Sequence, residues 1–524
     1  MATTTNTKAR TYISWLTISF MMVAAVASIR SLPAMAVYGL GSIMLFLIPA
    51  VLFFIPVALV ASELGTGWNG GIYGWVKQAY GDRLGFFAIW FLWIEVVVWY
   101  PSVLGFAAST LAYMFNPKLA NNGLFTCIVI IVFYWASTFL AMRGMDTLAK
   151  FTKWFMLLGT ALPALALVIL GIIWLVMGNP SAAPLSWSAL IPSVFHEHAH
   201  VITSHRLHES SLQVFIGSVA GLVLIVSNFL AFAGIEMNAI HARDLKNPER
   251  EMPKAIFLAC IMIILIFIPP TIAISLVVPA DSTSLTAGVI QAYAAFFDAF
   301  HITWITPIMG ALLIIGALGG VLSWTAGPSK GLLFVGKSGM FPLALQKVNK
   351  NGVQSNILIL QAILVTLLST IYIFVDNVSD AFWMISAMAA LMYLTIYIFM
   401  FMSAMKLRKT QPHVKRGFVL KGLHFWCFLG LASTIVAIFF GFIPPSQFSD
   451  MPLFEYIGIL VAGLIVTGAP PFIFYAIRKP SWIVTPKSEY EQYSAPLQDL
   501  QDDGDTTTPP AAPPATSAPA STTK

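Results

Sequence analysis

Charge is what this sequence has least of: Asp, Glu, Lys and Arg make up only 10% of its 524 residues, where soluble domains carry about 25%. With 58% of residues hydrophobic and a mean hydropathy of +0.82, most of the chain is expected to stay out of water. Cysteine is nearly absent as well. Cys127, Cys260 and Cys427 lie far apart inside apolar runs, which excludes a disulfide framework and offers no metal-ligand spacing. Neither a G-x-x-x-x-G-K-[ST] loop nor an H-E-x-x-H pair occurs, so phosphate-cradling and zinc-hydrolase chemistry have no footing. No cofactor or metal is implied, and the chain does not read as an enzyme. Its net charge of +6 comes from short clusters of Lys and Arg between apolar runs, not from the basic stripe that nucleic-acid binding needs. A channel's selectivity filter or rings of like charge are missing too.

What is there instead is a series of long apolar runs. A helix needs about 20 such residues to cross the hydrocarbon core. Twelve segments qualify, roughly 12–40, 42–62, 84–115, 124–142, 152–177, 212–241, 254–278, 303–334, 356–375, 381–405, 422–443 and 454–477. The fold class is therefore an all-α polytopic membrane protein. An even number of spans puts both termini on one side. Loops on that side carry Lys77, Arg83, Arg143, Lys246, Lys254, Lys337, Lys406, Lys421 and further basic neighbours, against Lys118 and Arg206 on the other. Positively charged loops stay in the cytoplasm, so both termini are expected there. Residues 1–11 form a short polar lead, 12–479 the membrane domain, and 480–524 a disordered tail ending in TTTPPAAPPATSAPASTTK, a composition that cannot bury a core.

Two spans do not read as plain lipid-facing helices. The first contains VASIRSLPAMAVYGLG, with Arg30 and Pro33 near mid-membrane; the sixth contains SNFLAFAGIEMNAIHARD, with Gly234 and Glu236 at similar depth. They head two blocks of five spans, and helices broken at corresponding points of two repeats mark a transporter's binding site. Free N–H groups at one break suit a carboxylate and free C=O groups at the other suit an ammonium, which fits an α-amino acid. The plainer alternative is a proline kink and a glycine used only for packing.

Four stretches carry a family resemblance: FFIPVALVASELGTGWNGGIYGWV, FAGIE with HARDLKNPEREMPKA, LTAGVIQAY, and SWTAGPSKG followed by GMFPLALQKVNKNGV. Through them the sequence resembles the amino acid–polyamine–organocation superfamily, and within it the glutamate/γ-aminobutyrate antiporter family. The resemblance implies five plus five inverted-repeat helices with the first and sixth interrupted, and two extra helices at the end. It also implies a place in the bacterial inner (cytoplasmic) membrane. The function implied is antiport by alternating access, of glutamate or a similar amino acid for another amino acid or its decarboxylated amine, γ-aminobutyrate. Coupled to a cytoplasmic decarboxylase, that exchange exports protons and confers acid resistance. The alternative is a proton-coupled importer of neutral amino acids. The expected partners are small amino acids and the lipid bilayer, with a monomer or homodimer both open.

Carried over by position, Ala27 and Ser28, with Ile29 beside them, fall where relatives unwind helix one, often at Gly-Ser-Gly. Leu230, Phe232, Ala233 and Gly234 fall at the helix-six break, and Leu322 and Trp324 on the helix-eight face that lines the site. Gly319 and Gly320 stand where acid-resistance members carry a glutamate shortly before Ser-Trp. The tail, with Asp499, Asp502, Asp503 and Asp505, lacks the basic character of the segment that plugs the cytoplasmic path in some relatives.

Three ionisable residues lie deep in spans: Arg30, Glu95 and Glu236. Each costs about 2.5–3.5 kcal/mol on insertion scales, so each is a functional candidate. Glu236 is a structural or proton-coupling group beside the helix-six break. Arg30 has two readings. In the favoured one it is the fixed partner of Glu95 inside the bundle; in the other its guanidinium reads the side-chain carboxylate of an acidic substrate. Outside the spans, His196, His198, His200, His205 and His208 crowd one external loop, as a hydrated insertion, an acid sensor or an adventitious zinc site.

Overall fold

The computed structural model describes residues 13–144, 154–191, 220–375, 377–445 and 451–497, and among them there are helices and no β-strand. The chain opens with α1 (Trp15–Val26) and α2 (Leu32–Ala36), joined through a 3-10 turn at Ile29–Ser31. There follow α3 (Gly39–Gly67), the short α4 (Gly71–Tyr80), α5 (Asp82–Phe115), α6 (Gly123–Ala141) and α7 (Trp154–Val176). The second half holds α8 (Val226–Phe232), α9 (Glu236–Ala239), α10 (Pro248–Val277), α11 (Gly288–Ala299) and α12 (Thr306–Gly336). It ends with α13 (Ser355–Phe374), α14 (Val378–Thr410), α15 (Leu423–Gly441), α16 (Leu453–Ile477) and α17 (Lys487–Gln492).

Among the described residues, ten helices are long and apolar enough to cross a membrane, and the pair on either side of residues 27–28, bent by 44°, adds an eleventh. The sixth expected span is described only from residue 220, as a short apolar stretch over Val223–Asn238. The His-rich loop 196–208 lies outside the described residues. Helices suit this setting because they satisfy every backbone N–H and C=O internally, where lipid offers no partners.

The centre of the bundle is α5, buried along nearly its whole length and packed most extensively on α12 and α14. At the other extreme α16 turns Phe454, Ile465 and Val466 outward, as a helix against hydrocarbon does. Two glycines bring α7 and α12 together: the backbones of Gly159 and Gly316 touch so closely that a Cβ on either would overlap the other.

The last elements overturn one expectation. The tail does not become structureless at residue 480. A 3-10 turn at Pro480–Trp482 and α17 are laid across the end of the bundle. The N–H groups of Val484 and Thr485 donate to the Lys337 carbonyl, and that of Leu497 to the Gly67 carbonyl, at 2.8, 3.1 and 3.0 Å. Tyr490 is buried, shares a short hydroxyl hydrogen bond with Tyr73, and lies 3.7 Å under the Lys77 ammonium. Burial pushes the Tyr490 hydroxyl up to about 12 and lowers the Lys77 ammonium from its ordinary value. Aromatic anchors at Tyr490 and Tyr493 hold a segment whose neighbours look linker-like; the Pro/Ala/Thr-rich run proper lies beyond residue 497, outside the described residues.

Candidate functional site

The two interruptions are different backbone devices. In the first, Ala27 (φ −63°, ψ 114°) and Ser28 (φ −147°, ψ 128°) are extended, a conformation open to any residue, so no glycine is needed. In the second, Ala233 is extended and Gly234 has φ +102°, where L side chains are strained. Space adds to the constraint: a Cβ on Gly234 would lie 2.8 Å from the Trp324 ring. The freed Gly234 N–H donates to the Tyr397 hydroxyl at 2.9 Å.

Between these breaks lies a cavity with about 880 Å³ of space between atoms, part of it open to solvent. Its wall includes Ala27, Ser28, Ile29 and Arg30 from the first break, Leu230 and Ala233 from the second, and Trp324 from α12. Glu95, from the centre of α5, also faces it.

Arg30 is held on three sides. Its Nη1 donates to Ser102 Oγ at 3.1 Å, and its guanidinium lies 5.4 Å from the Trp99 ring centre and 5.8 Å from that of Phe382. Its Nε is buried without a hydrogen-bond partner, and so is Oε2 of Glu95. The expected fixed pair is absent: among the described residues no ion pair within 4 Å joins Arg30 to Glu95, although the two charges are near enough to interact electrostatically. Ser102 and the aromatic rings occupy the guanidinium instead.

Glu236 behaves differently. Tyr393 and Tyr397, stacked on each other one turn apart on α14, donate to its two oxygens at 2.8 and 2.6 Å. It is buried but not on the cavity wall; Tyr393 covers it and meets Trp324 edge to face at 6.5 Å. Three further expected site residues also lie off the wall. Phe232 packs away from the cavity against Phe54 and Phe267, and Gly234 sits behind Trp324. Leu322 belongs to a separate apolar cluster with Ala141, Val353 and Leu358; two positions along a helix turn a side chain by about 200°, so Leu322 and Trp324 cannot share a face.

Other wall residues were not expected: Trp99, Phe106, Thr160, Ser323 and Tyr393. For Trp99 a signal existed, since it follows Glu95 at the i,i+4 spacing that shares a helix face. Gly320 also lines the cavity, and the nearest atom to a Cβ built there is Trp99, at 3.8 Å. Missed as well was Glu63, buried at the end of α3. It takes Nε of Arg408 at 2.8 Å, a second and shorter bond from Nη2 of Arg408, and the Leu420 N–H at 2.8 Å, with Arg416 Nε at 3.5 Å.

A multi-pass helical bundle that opens a charged cavity between two helix interruptions has the architecture of a solute transporter rather than of an enzyme. The chain belongs to the amino acid permease family, whose profile matches residues 13–465. An uncharacterized transporter of Legionella pneumophila is 37% identical over 460 residues, covering 86% of this chain and 94% of that protein. Glutamate/γ-aminobutyrate antiporters from two subspecies of Lactococcus lactis are 29% and 28% identical over 464 residues, covering 86% of this chain and 88% of theirs.

Proposed function

We propose that this protein is an antiporter that exchanges glutamate, or a similar amino acid, for another amino acid or its decarboxylated amine, γ-aminobutyrate, by alternating access. The observation that carries the reading is a buried arginine, unpaired with any acid, on the wall between the two breaks. Arg30 then holds the distal carboxylate of the substrate, because a guanidinium gives a carboxylate directed, charge-assisted hydrogen bonds. Backbone N–H groups at the two breaks serve the α-carboxylate. Leu230, Ile29 and Trp324 give the apolar wall for the methylene chain. The glutamate/γ-aminobutyrate antiporters of Lactococcus lactis support the choice of substrate pair.

The same reading takes the bundle as twelve spans, five plus five in inverted repeat and two more, with both termini cytoplasmic under the positive-inside rule. Opening and closing then rock one set of helices against the other around the cavity.

The test is counterflow in liposomes by purified protein, with a panel of labelled amino acids at pH 5 and pH 7. Exchange of glutamate against γ-aminobutyrate, lost in Arg30→Gln, is the expected result. Uptake of neutral amino acids alone, driven by a proton gradient and without need of a counter-substrate, would replace this reading with proton-coupled import.

A further inference from the structure

Arg30 and Glu95 are two opposite buried charges that line one cavity, do not touch, and each keep an atom with no hydrogen-bond partner. An unpaired buried charge is costly, and its natural remedy is a partner of opposite sign. Within the bundle none is supplied. The guanidinium donates to Ser102 and is faced by the Trp99 and Phe382 rings, but no carboxylate of the protein pairs with it on the cavity wall. No lysine lines the wall to meet Glu95. Trp99 joins the two, since it stands one turn beyond Glu95 on α5 and its ring lies 5.4 Å from the Arg30 guanidinium. A ligand that carries one charge of each sign satisfies both groups together; a ligand with only one leaves the other buried and bare.

We propose that Glu95 is the receptor for the substrate's ammonium, so that Glu95 and Arg30 together select molecules with an amine and a carboxylate at the two ends of a short chain. This rests on the exchange reading above and refines it. An α-amino dicarboxylic acid and its α-decarboxylated amine share that pair of groups, the amine and the distal carboxylate. They differ only in the α-carboxylate, which falls to backbone N–H groups at the breaks. Acid and amine therefore keep the same two side-chain contacts, which lets one site accept both partners of an exchange. Specificity lies in the side chains, and the difference between the partners is left to the backbone.

The experiment is competition against labelled glutamate exchange in liposomes by γ-aminobutyrate and by glutarate, the dicarboxylate that lacks the amine. Wild-type protein is expected to be inhibited by γ-aminobutyrate and hardly by glutarate, whose second carboxylate meets Glu95. In Glu95→Gln the ratio of the two inhibition constants shifts toward glutarate by at least about tenfold, the equivalent of about 1.4 kcal/mol, and Glu95→Asp restores the wild-type order. Should Glu95→Gln transport too slowly, thermal stabilisation of the purified variant by each compound reads the same ratio. An unchanged ratio, with all compounds weakened equally, overturns the role of Glu95. Wild-type protein that exchanges no member of the panel overturns the exchange reading itself, before any variant is compared.

Discussion

Two buried glutamates define two regions with opposite bonding. At the end of α3, Glu63 is fully engaged by Arg408, Arg416 and the Leu420 N–H, which pins the segment 411–422 to the bundle. In the middle of α5, Glu95 has a buried oxygen with no partner and faces a cavity. Burial is almost the same, 3% and 2% exposed. What differs is whether the protein completes the coordination. A completed charge is architecture, because removing one member strands the others. An incomplete charge beside a cavity waits for a ligand. Glu236 belongs with Glu63, since Tyr393 and Tyr397 satisfy both its oxygens.

That contrast can be broken by matched substitutions. The largest effect is expected for Glu63→Ala, which leaves two arginines facing a buried gap and costs about 3–5 kcal/mol of stability; thermal melting in detergent would show it as a drop of many degrees. Next comes Tyr397→Phe, which removes the hydroxyl that accepts from the Gly234 N–H and donates to Glu236. The loss is about 1–3 kcal/mol, read as a lower melting temperature with slowed transport. Gly234→Ala combines a positive φ with a close approach to Trp324, and costs about 1 kcal/mol or more; Trp324→Phe in the same chain should recover part of it. Smallest is Glu95→Gln, whose melting temperature without substrate stays at or above wild type, because a buried unpaired charge is removed. If Glu63→Ala and Glu95→Gln destabilised equally, the division between architecture and site would be wrong.

Much of the bundle was legible because its signal is local. Long apolar runs mark helices one by one, and both interruptions announced themselves through Arg30 with Pro33 and through Gly234 with Glu236. Within the site the legible part was what lies next to a break in sequence: Ala27 to Arg30, Leu230 and Ala233 all reach the wall. What failed depends on rotation and on distant packing. Helices such as α5 and α12 are apolar all round, so no stripe says which face turns inward, and Leu322 was placed on the wall while Ser323 was passed over. Trp99 and Tyr393 reach the cavity from helices far apart in sequence. The Arg30–Glu95 pair was a reasonable inference from charge alone, but it could not foresee that Ser102 and two aromatic rings would hold the guanidinium. Glu63 was overlooked because it falls just past an apolar run, where a charge looks hydrated. The Tyr490 segment was overlooked because two aromatic anchors in a polar context carry no periodicity.

The central claim is that substrate occupies the space between the two breaks. Ser323 lines that space and is exposed, while Cys127, Cys260 and Cys427 are all buried. The direct measurement is the rate of thiol alkylation in a transport-active Ser323→Cys variant, with and without glutamate or γ-aminobutyrate. Occupancy of the cavity predicts slowing by either compound at concentrations that saturate exchange, and no slowing once Arg30→Gln is added. Alkylation that proceeds at the same rate while the variant is actively exchanging substrate would contradict the account.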